Sequence, residues 1–202
     1  MIFDGAPGTG SRSGPSYAFT SLTPICKGLA DNLGAHLRSL PVAEASPLAK
    51  LAYVHLGRWL VIDGLKMSWA GSPRRPTRLR SDYLLFTASI TGPEDTKYTD
   101  EFPHSFFVEM AEQIPDAVDA IWGSCVGYPG STSVVAFAEY LRRSQLDTEL
   151  FYIGYPNTTV GQVDHALGAR DHLVDFVRSH QAETDPALLQ QAYLEESKTW
   201  SL

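Results

Sequence analysis

Hydrophobic residues along the first half of the chain change between strand-like and helix-like spacing. The stretch "SYAFTSLTPI", which begins at Ser16, predicts a strand. A helix is predicted over "CKGLADNLGAHLRSL", because Leu29, Leu33 and Leu37 recur one turn apart before Pro41 ends the pattern. The stretches "LAYVHLGRWLVID" and "DYLLFTASI" are rich in aromatic and β-branched residues and predict a β-ribbon around a long loop.

The second half continues the alternation. The stretch "DEFPHSFFVEMAEQI" predicts a helix, and "DAIWGSCVGY" predicts a strand that ends before Pro129. The order is then βαββαβ, which predicts an α+β fold with a ferredoxin-like core and an antiparallel sheet. An α-β-α extension follows over "STSVVAFAEYLRR", "TELFYIGY" and "VDHALGARDHLVDF", and Asp185-Pro186 opens a short tail helix.

Composition predicts one domain. The 202 residues, of which 44% are hydrophobic, are enough to bury one core, which we expect over residues 16–180. Residues 1–15 are rich in Gly, Ser and Pro and predict a flexible leader, while residues 181–202 form a tail. Gly5 and Gly10 have P-loop spacing, but Ser11-Arg12 replaces the Lys-Ser/Thr pair that binds phosphate.

Charge and cysteine usage exclude several classes of partner. A formal net charge of −7 argues against nucleic acid as a partner. No apolar run reaches the roughly 18 residues of a membrane span, and no signal-peptide pattern opens the chain, so no membrane partner is expected. The two cysteines, Cys26 and Cys125, have no metal-binding spacing and fit a reducing compartment. We therefore expect a cytoplasmic protein.

Several stretches together resemble the dimeric α+β barrel (ferredoxin-like) superfamily, namely "SLTPI", "VHLGRWLVID", "LLFTASITG", "AIWGSCVGYPG" and "YLRRSQLDTELFYIGYPNTTV". The resemblance runs from about Ser16 to His180. It implies a sheet whose concave face forms a pocket, often closed by a second copy, so a homodimer is expected. The superfamily includes dye-decolorizing peroxidases, aldoxime dehydratases and cofactor-free monooxygenases. No cofactor is predicted, but haem stays a candidate, although Leu60 replaces the first glycine of the GxxDG motif of the peroxidases.

Two Asp-His pairs, Asp164-His165 and Asp171-His172, lie seven residues apart on the second helix of the predicted α-β-α extension. Seven residues rise about 10.5 Å along a helix, so the two imidazoles cannot ligate one metal ion. We interpret them as a solvated flank, with His165, His172 and His55 as the candidate axial ligands if haem binds. The predicted buried stripe of this helix consists of Val160, Val163, Leu167, Val174 and Val177.

On the β-ribbon, the period of two places His55 and Trp59 on one face and Leu56 and Leu60 on the other. The leucines suit the helix-covered face, so we expect His55 to act as acid or base in a pocket lined by Trp59. A hydrogen-bonded core or interface histidine is the alternative for His55. Arg58, which like Trp59 is a candidate substrate contact, then needs either a position near the sheet edge or a carboxylate partner such as Glu109 or Glu112.

Other candidate site residues lie elsewhere in the chain. Tyr128, Tyr98 and Trp122 are candidates for the pocket, Tyr128 as a catalytic residue and the other two as substrate contacts. Cys125 lies in a G-x-C-x-G pattern, which is the cysteine form of a nucleophile elbow. A buried structural cysteine is the alternative reading. The arginines of the Arg74–Arg80 loop could receive an anionic carrier or substrate.

These features predict an enzyme that acts on a hydrophobic small molecule, with oxidative or cofactor-free acid/base chemistry at His55, Cys125 and nearby tyrosines. A non-catalytic module that binds a small molecule or a partner is the alternative, since the same pocket then needs no titratable group. A hydrolase with Cys125 as its nucleophile is the third hypothesis.

Overall fold

The computed structural model describes residues 11–13, 16–64, 79–92, 102–154 and 158–200. They form an α+β structure, as predicted. The strands are β1 (Arg12–Ser13), β2 (Ser16–Pro24), β3 (Val54–Ile62) and β4 (Tyr83–Thr91). The helices are α1 (Ala30–Ser39), α2 (Phe102–Gln113), α3 (Pro115–Trp122), α4 (Val134–Arg143), α5 (Val160–Ser179) and α6 (Pro186–Glu196). No helix in the described ranges is both long and apolar enough to cross a membrane.

The chain divides into two compact units, Met1–Asn157 and Thr158–Leu202. This division differs from the predicted domain of residues 16–180, because α5 belongs to the same unit as the tail helix α6. The predicted leader of residues 1–15 also ends earlier than expected, since Arg12 and Ser13 pair with the start of β2.

The sheet of the first unit is antiparallel and has the order β1-β2-β4-β3. Its register pairs Tyr17 of β2 with Ile90 of β4, and Trp59 of β3 with Phe86 of β4. The edge of β2 that faces away from β4 forms two isolated pairings, Ser21 with Gln145 and Ile25 with Cys125.

The core of this unit lies between one face of the sheet and the helices. Alternate residues of β4, from Leu84 to Ile90, are buried, as the period of two requires. Phe86 lies at the centre, with its ring 5.9 Å from that of Phe19 and 5.4 Å from that of Trp122. These aromatic contacts connect β2 and β4 to α3.

Two predicted strands are wrong. The stretch "DAIWGSCVGY" is helical up to Trp122, because Val118, Ile121 and Trp122 recur at helical spacing and Pro115 begins the helix. The described part of "TELFYIGY" pairs with no strand, and Leu150 is 85% exposed there. Alternating apolar residues form a strand only where a neighbouring strand accepts their hydrogen bonds.

The second unit contains α5 and α6. Thr159 and Gln162 form a reciprocal capping box that begins α5, and Asp185 caps α6 as predicted. Phe176 is buried against the rings of Tyr193 and His180. The predicted buried stripe of α5 is wrong, because four of its members are exposed: Val163, Leu167, Val174 and Val177. The helical period identifies an apolar stripe, but it does not specify which face packs against a neighbour.

Candidate functional site

The two faces of β3 are the reverse of the prediction. The ring of Trp59 stacks on Phe86 at 5.3 Å and meets Trp122 edge-on at 6.2 Å, so Trp59 belongs to the helix-covered core. Leu56 and Leu60 point to the opposite face and are 68% and 49% exposed. The physical reason is area, since even a half-buried indole removes more apolar surface from water than a leucine side chain.

We call this opposite face of β2, β3 and β4 the open face. It is formed by every second residue of each strand and, in β3, also by His55. The members used below are Ser16, Thr20, Leu22, His55, Leu56, Arg58, Leu60, Leu85, Thr87 and Thr91.

A β-bulge turns His55 toward the open face. Val54 pairs with Ile90 and Leu56 pairs with Ser89, so His55 is the extra residue between them. Its Nε2 atom lies 2.7 Å from Oγ1 of Thr91. That oxygen lies 2.8 Å from Oγ of Ser16. Because Ser16 and Thr91 are buried, this hydrogen-bonded row, which spans three strands, fixes the imidazole at one end of the open face.

Arg58 lies on the same face. Its Nε donates to Oγ1 of Thr87 at 3.1 Å on the neighbouring strand. Of the two alternatives predicted for Arg58, the position at the sheet edge holds, because β3 is the last strand in the order β1-β2-β4-β3, and in the described ranges Arg58 forms no ion pair with Glu109 or Glu112. Glu109 lies on α2, where its Oε1 accepts the N–H of Ala52 at 3.2 Å and burial raises the pKa of its carboxyl group.

A row of leucines crosses the open face beside Arg58. Leu22 pairs with Leu85, and Leu85 pairs with Leu60, so one leucine from each of three strands lies in line. The neighbouring row consists of Thr20, Thr87 and Arg58. Residues two positions apart on a strand are separated by about 6.7 Å, so the leucine row and the Arg58 row are adjacent. The open face thus combines an apolar strip with hydroxyls and one cation.

Cys125 lies away from the open face. It follows α3 instead of opening a helix, so the strand-to-helix turn of a nucleophile elbow is not formed. Thr23 Oγ1 donates to its Sγ at 3.5 Å, and burial raises the pKa of the thiol to about 11. The thiol is therefore protonated at neutral pH, which does not favour a nucleophile.

Tyr128 lies in the loop between α3 and α4. Its hydroxyl donates to Oδ1 of Asp119 at 2.5 Å, and Ser131 donates to both carboxylate oxygens. Burial and the neighbouring Asp119 raise the pKa of Tyr128, whereas the hydrogen bond from Tyr128 lowers the pKa of Asp119. This cluster fixes the loop and is separate from His55.

The remaining predicted residues do not join His55. Trp122 is completely buried in the core. Trp59 lines a cavity of about 220 Å³ between α1 and β3, together with Leu37, Leu40, Val42, Ser46 and Leu48. Tyr98 and most of the Arg74–Arg80 loop lie outside the described residues. Of the predicted site residues that the structure describes, it therefore brings only His55 and Arg58 to one face.

The predicted axial histidines do not fit haem. The Nε2 of His55, which an iron would need, is hydrogen-bonded to Thr91. His165 is exposed on α5, and the imidazole of His172 stacks on Trp200 with an interplanar angle of 10°. Within the described ranges, His, Cys, Asp and Glu side chains form no cluster that could hold a metal ion.

Sequence reasoning missed the partners of His55 and Arg58. Ser16, Thr87 and Thr91 are ordinary strand residues in the sequence, and their role depends on the register between strands.

No protein-family model, no curated protein and no solved structure matches this chain.

Proposed function

We propose that this protein binds a hydrophobic small molecule on the open face of its sheet. The carrying observation is the leucine row of Leu22, Leu85 and Leu60, which lies in line across three strands with Leu60 half exposed. Apolar side chains that face solvent together, next to polar groups, are typical of ligand sites. On the other side of the sheet the core is filled by aromatic rings, apart from the cavity of about 220 Å³ beside Trp59, whose lining residues include no charged side chain.

The strand order supports a ferredoxin-like core for this site. The first three long strands and their helices follow the order β2-α1-β3-β4-α2, and β4 lies between β2 and β3. A fourth strand would lie beside β2, where Cys26 donates to Ser124 and Leu146 donates to Thr20 through their main chains. In the dimeric α+β barrels that this arrangement resembles, a second copy covers the open face and encloses the ligand.

Nile red, an uncharged dye that fluoresces in apolar surroundings, tests binding. Leu60→Ser should weaken dye binding several-fold, because it removes the exposed end of the leucine row. Leu150→Ser is the matched control, since Leu150 is exposed but lies outside the sheet. Equal dye binding by the two variants would contradict the proposal. Circular dichroism melting of both variants excludes an effect of unfolding.

A homodimer is tested separately by sedimentation equilibrium. The wild type should sediment as a dimer at micromolar concentration, and Leu56→Lys should shift it toward monomer, because Leu56 would be desolvated by the second copy. A wild-type monomer at all concentrations would remove the dimer from the proposal, but it would leave ligand binding on the open face in place.

Acid/base catalysis at His55 is the second candidate function. It is favoured by the hydrogen-bonded row of Ser16, Thr91 and His55, which orients an imidazole beside the apolar strip. His55→Gln keeps a hydrogen-bonding side chain of similar reach, so a catalyst should lose turnover of its ligand and still bind it. A binding module should show no chemical change of the ligand in either form.

A further inference from the structure

We infer that the ligand of the open face is a carboxylate with an apolar body, and that Arg58 binds the carboxylate group. This inference rests on the proposed function and names the class of molecule that would bind. The guanidinium of Arg58 lies on a face that otherwise contains aliphatic side chains, hydroxyls, the ring of Tyr83 and one imidazole.

The charge of Arg58 has no acidic neighbour on the sheet. None of the strand residues of β2, β3 and β4 is Asp or Glu. In the part of the chain that the structure describes, Arg58 makes no ion pair. The whole chain has a formal net charge of −7, so a cation without an acidic partner at this face is against the general trend of the sequence. An anionic ligand would complement it.

The hydrogen bond to Thr87 gives the guanidinium a direction. Because Nε donates to Thr87 Oγ1, this side of the planar group is occupied, and both Nη nitrogens keep their donors for another partner. Two parallel N–H donors match the two oxygens of a carboxylate, which is the geometry of bidentate Arg–carboxylate pairs.

The leucine row defines the rest of the ligand. Strands lie about 4.8 Å apart, so the row from Leu22 through Leu85 to Leu60 extends over about 10 Å. Its Leu60 end lies two residues from Arg58 on β3. A molecule that places its carboxylate on Arg58 can therefore lay an apolar chain or ring across the row. A medium-chain fatty acid has these two parts.

Displacement of Nile red by octanoate and by 1-octanol provides the test, since the two ligands differ mainly in charge. Octanoate and octanol also differ in hydrophobicity, but this difference affects the wild type and Arg58→Met alike. The ratio of octanoate affinity to octanol affinity should therefore be higher in the wild type than in Arg58→Met. The octanoate-to-octanol affinity ratio should fall about tenfold or more in Arg58→Met, as expected for loss of hydrogen bonds to a charged group. Arg58→Lys should recover only part of the ratio, because it restores the charge without the two-pronged geometry.

Arg38→Met is the matched control, because Arg38 is an exposed arginine of the same unit that lies on α1. It should leave the affinity ratio unchanged. An equal ratio in the wild type, Arg58→Met and Arg38→Met would overturn the inference while leaving hydrophobic binding intact. Octyl phosphate that bound more tightly than octanoate, with the gain lost in Arg58→Met, would overturn the assignment to carboxylates. Failure of every ligand, including the dye, would overturn both this inference and the proposed function.

Discussion

Trp59 and Leu60 are neighbours on β3 that point to opposite faces, so truncating each to alanine should have very different effects on stability. Trp59→Ala removes an indole that stacks on Phe86 and meets Trp122 edge-on. Truncation of a fully buried tryptophan typically costs about 3–5 kcal/mol, and because Trp59 is half-buried its truncation should cost about 2–4 kcal/mol. Leu60 is 49% exposed, so Leu60→Ala should cost about 1 kcal/mol or less, because half of the leucine transfer free energy is all that burial contributes.

Urea unfolding followed by far-ultraviolet circular dichroism measures both free energies without relying on tryptophan fluorescence. With an m-value of about 2 kcal/mol/M, Trp59→Ala should lower the midpoint by roughly 1 M or more, and Leu60→Ala by roughly 0.5 M or less. An equal loss in the two variants would refute the assignment of faces, since it would mean that Leu60 is also covered in the monomer. A larger loss for Leu60→Ala at high protein concentration alone would instead indicate burial by a second copy.

Three further predictions test other parts of the structure. Gly57→Ala should destabilise the protein by about 1–3 kcal/mol in urea unfolding, because its Cβ would lie 2.5 Å from Cδ1 of Leu48. The control Gly34→Ala, whose nearest contact is at 3.4 Å, should stabilise α1 by up to about 1 kcal/mol. A loss of stability in both variants would contradict a specific clash at Gly57. Iodoacetamide at pH 8 should label Cys26 before Cys125, since the Cys125 thiol is buried and has a pKa of about 11, and mass spectrometry that found the reverse order would revive a reactive Cys125. Asp119→Asn should lower the melting temperature at pH 7. Because the pKa of Asp119 is lowered in the folded state, the stabilisation by its carboxylate is complete above the ordinary pKa of 3.8 and is lost as the pH falls through the lowered pKa. A difference in melting temperature between variant and wild type that did not shrink in acid would contradict this role of Asp119.

The three strands that form the open face could be predicted from sequence because their patterns of apolar and polar residues are unambiguous. β2, β3 and β4 combine period-two alternation with aromatic and β-branched residues, and each lies where it was predicted. The helix α3 could not be recognised as readily, since Val118, Ile121 and Trp122 are residues that also favour strands. The helical spacing of these residues determines the structure only because Trp122 packs into the core against Phe86.

The candidate site was partly predictable. His55 and Arg58 were identifiable as polar residues within a strand, but the choice of face rested on assigning leucines to the core. A single bulge at His55 and the larger area of Trp59 reversed that choice. The partners Thr87, Thr91 and Ser16 come from other strands, and register between strands is not encoded in the period of any one of them.

The two isolated pairings at the edge of β2 affect the order in which this protein can fold. Ser21 pairs with Gln145, and Ile25 pairs with Cys125. The hydrogen bonds at this edge of β2 therefore form only after segments much later in the sequence have been synthesised. At roughly 5–20 residues per second, a ribosome needs several seconds to more than twenty seconds to cover that separation. During this interval the edge of β2 keeps unpaired main-chain groups that can bind another nascent chain. Aggregation during rapid expression should therefore depend on the β2 edge more than on the exposed leucines of the finished fold.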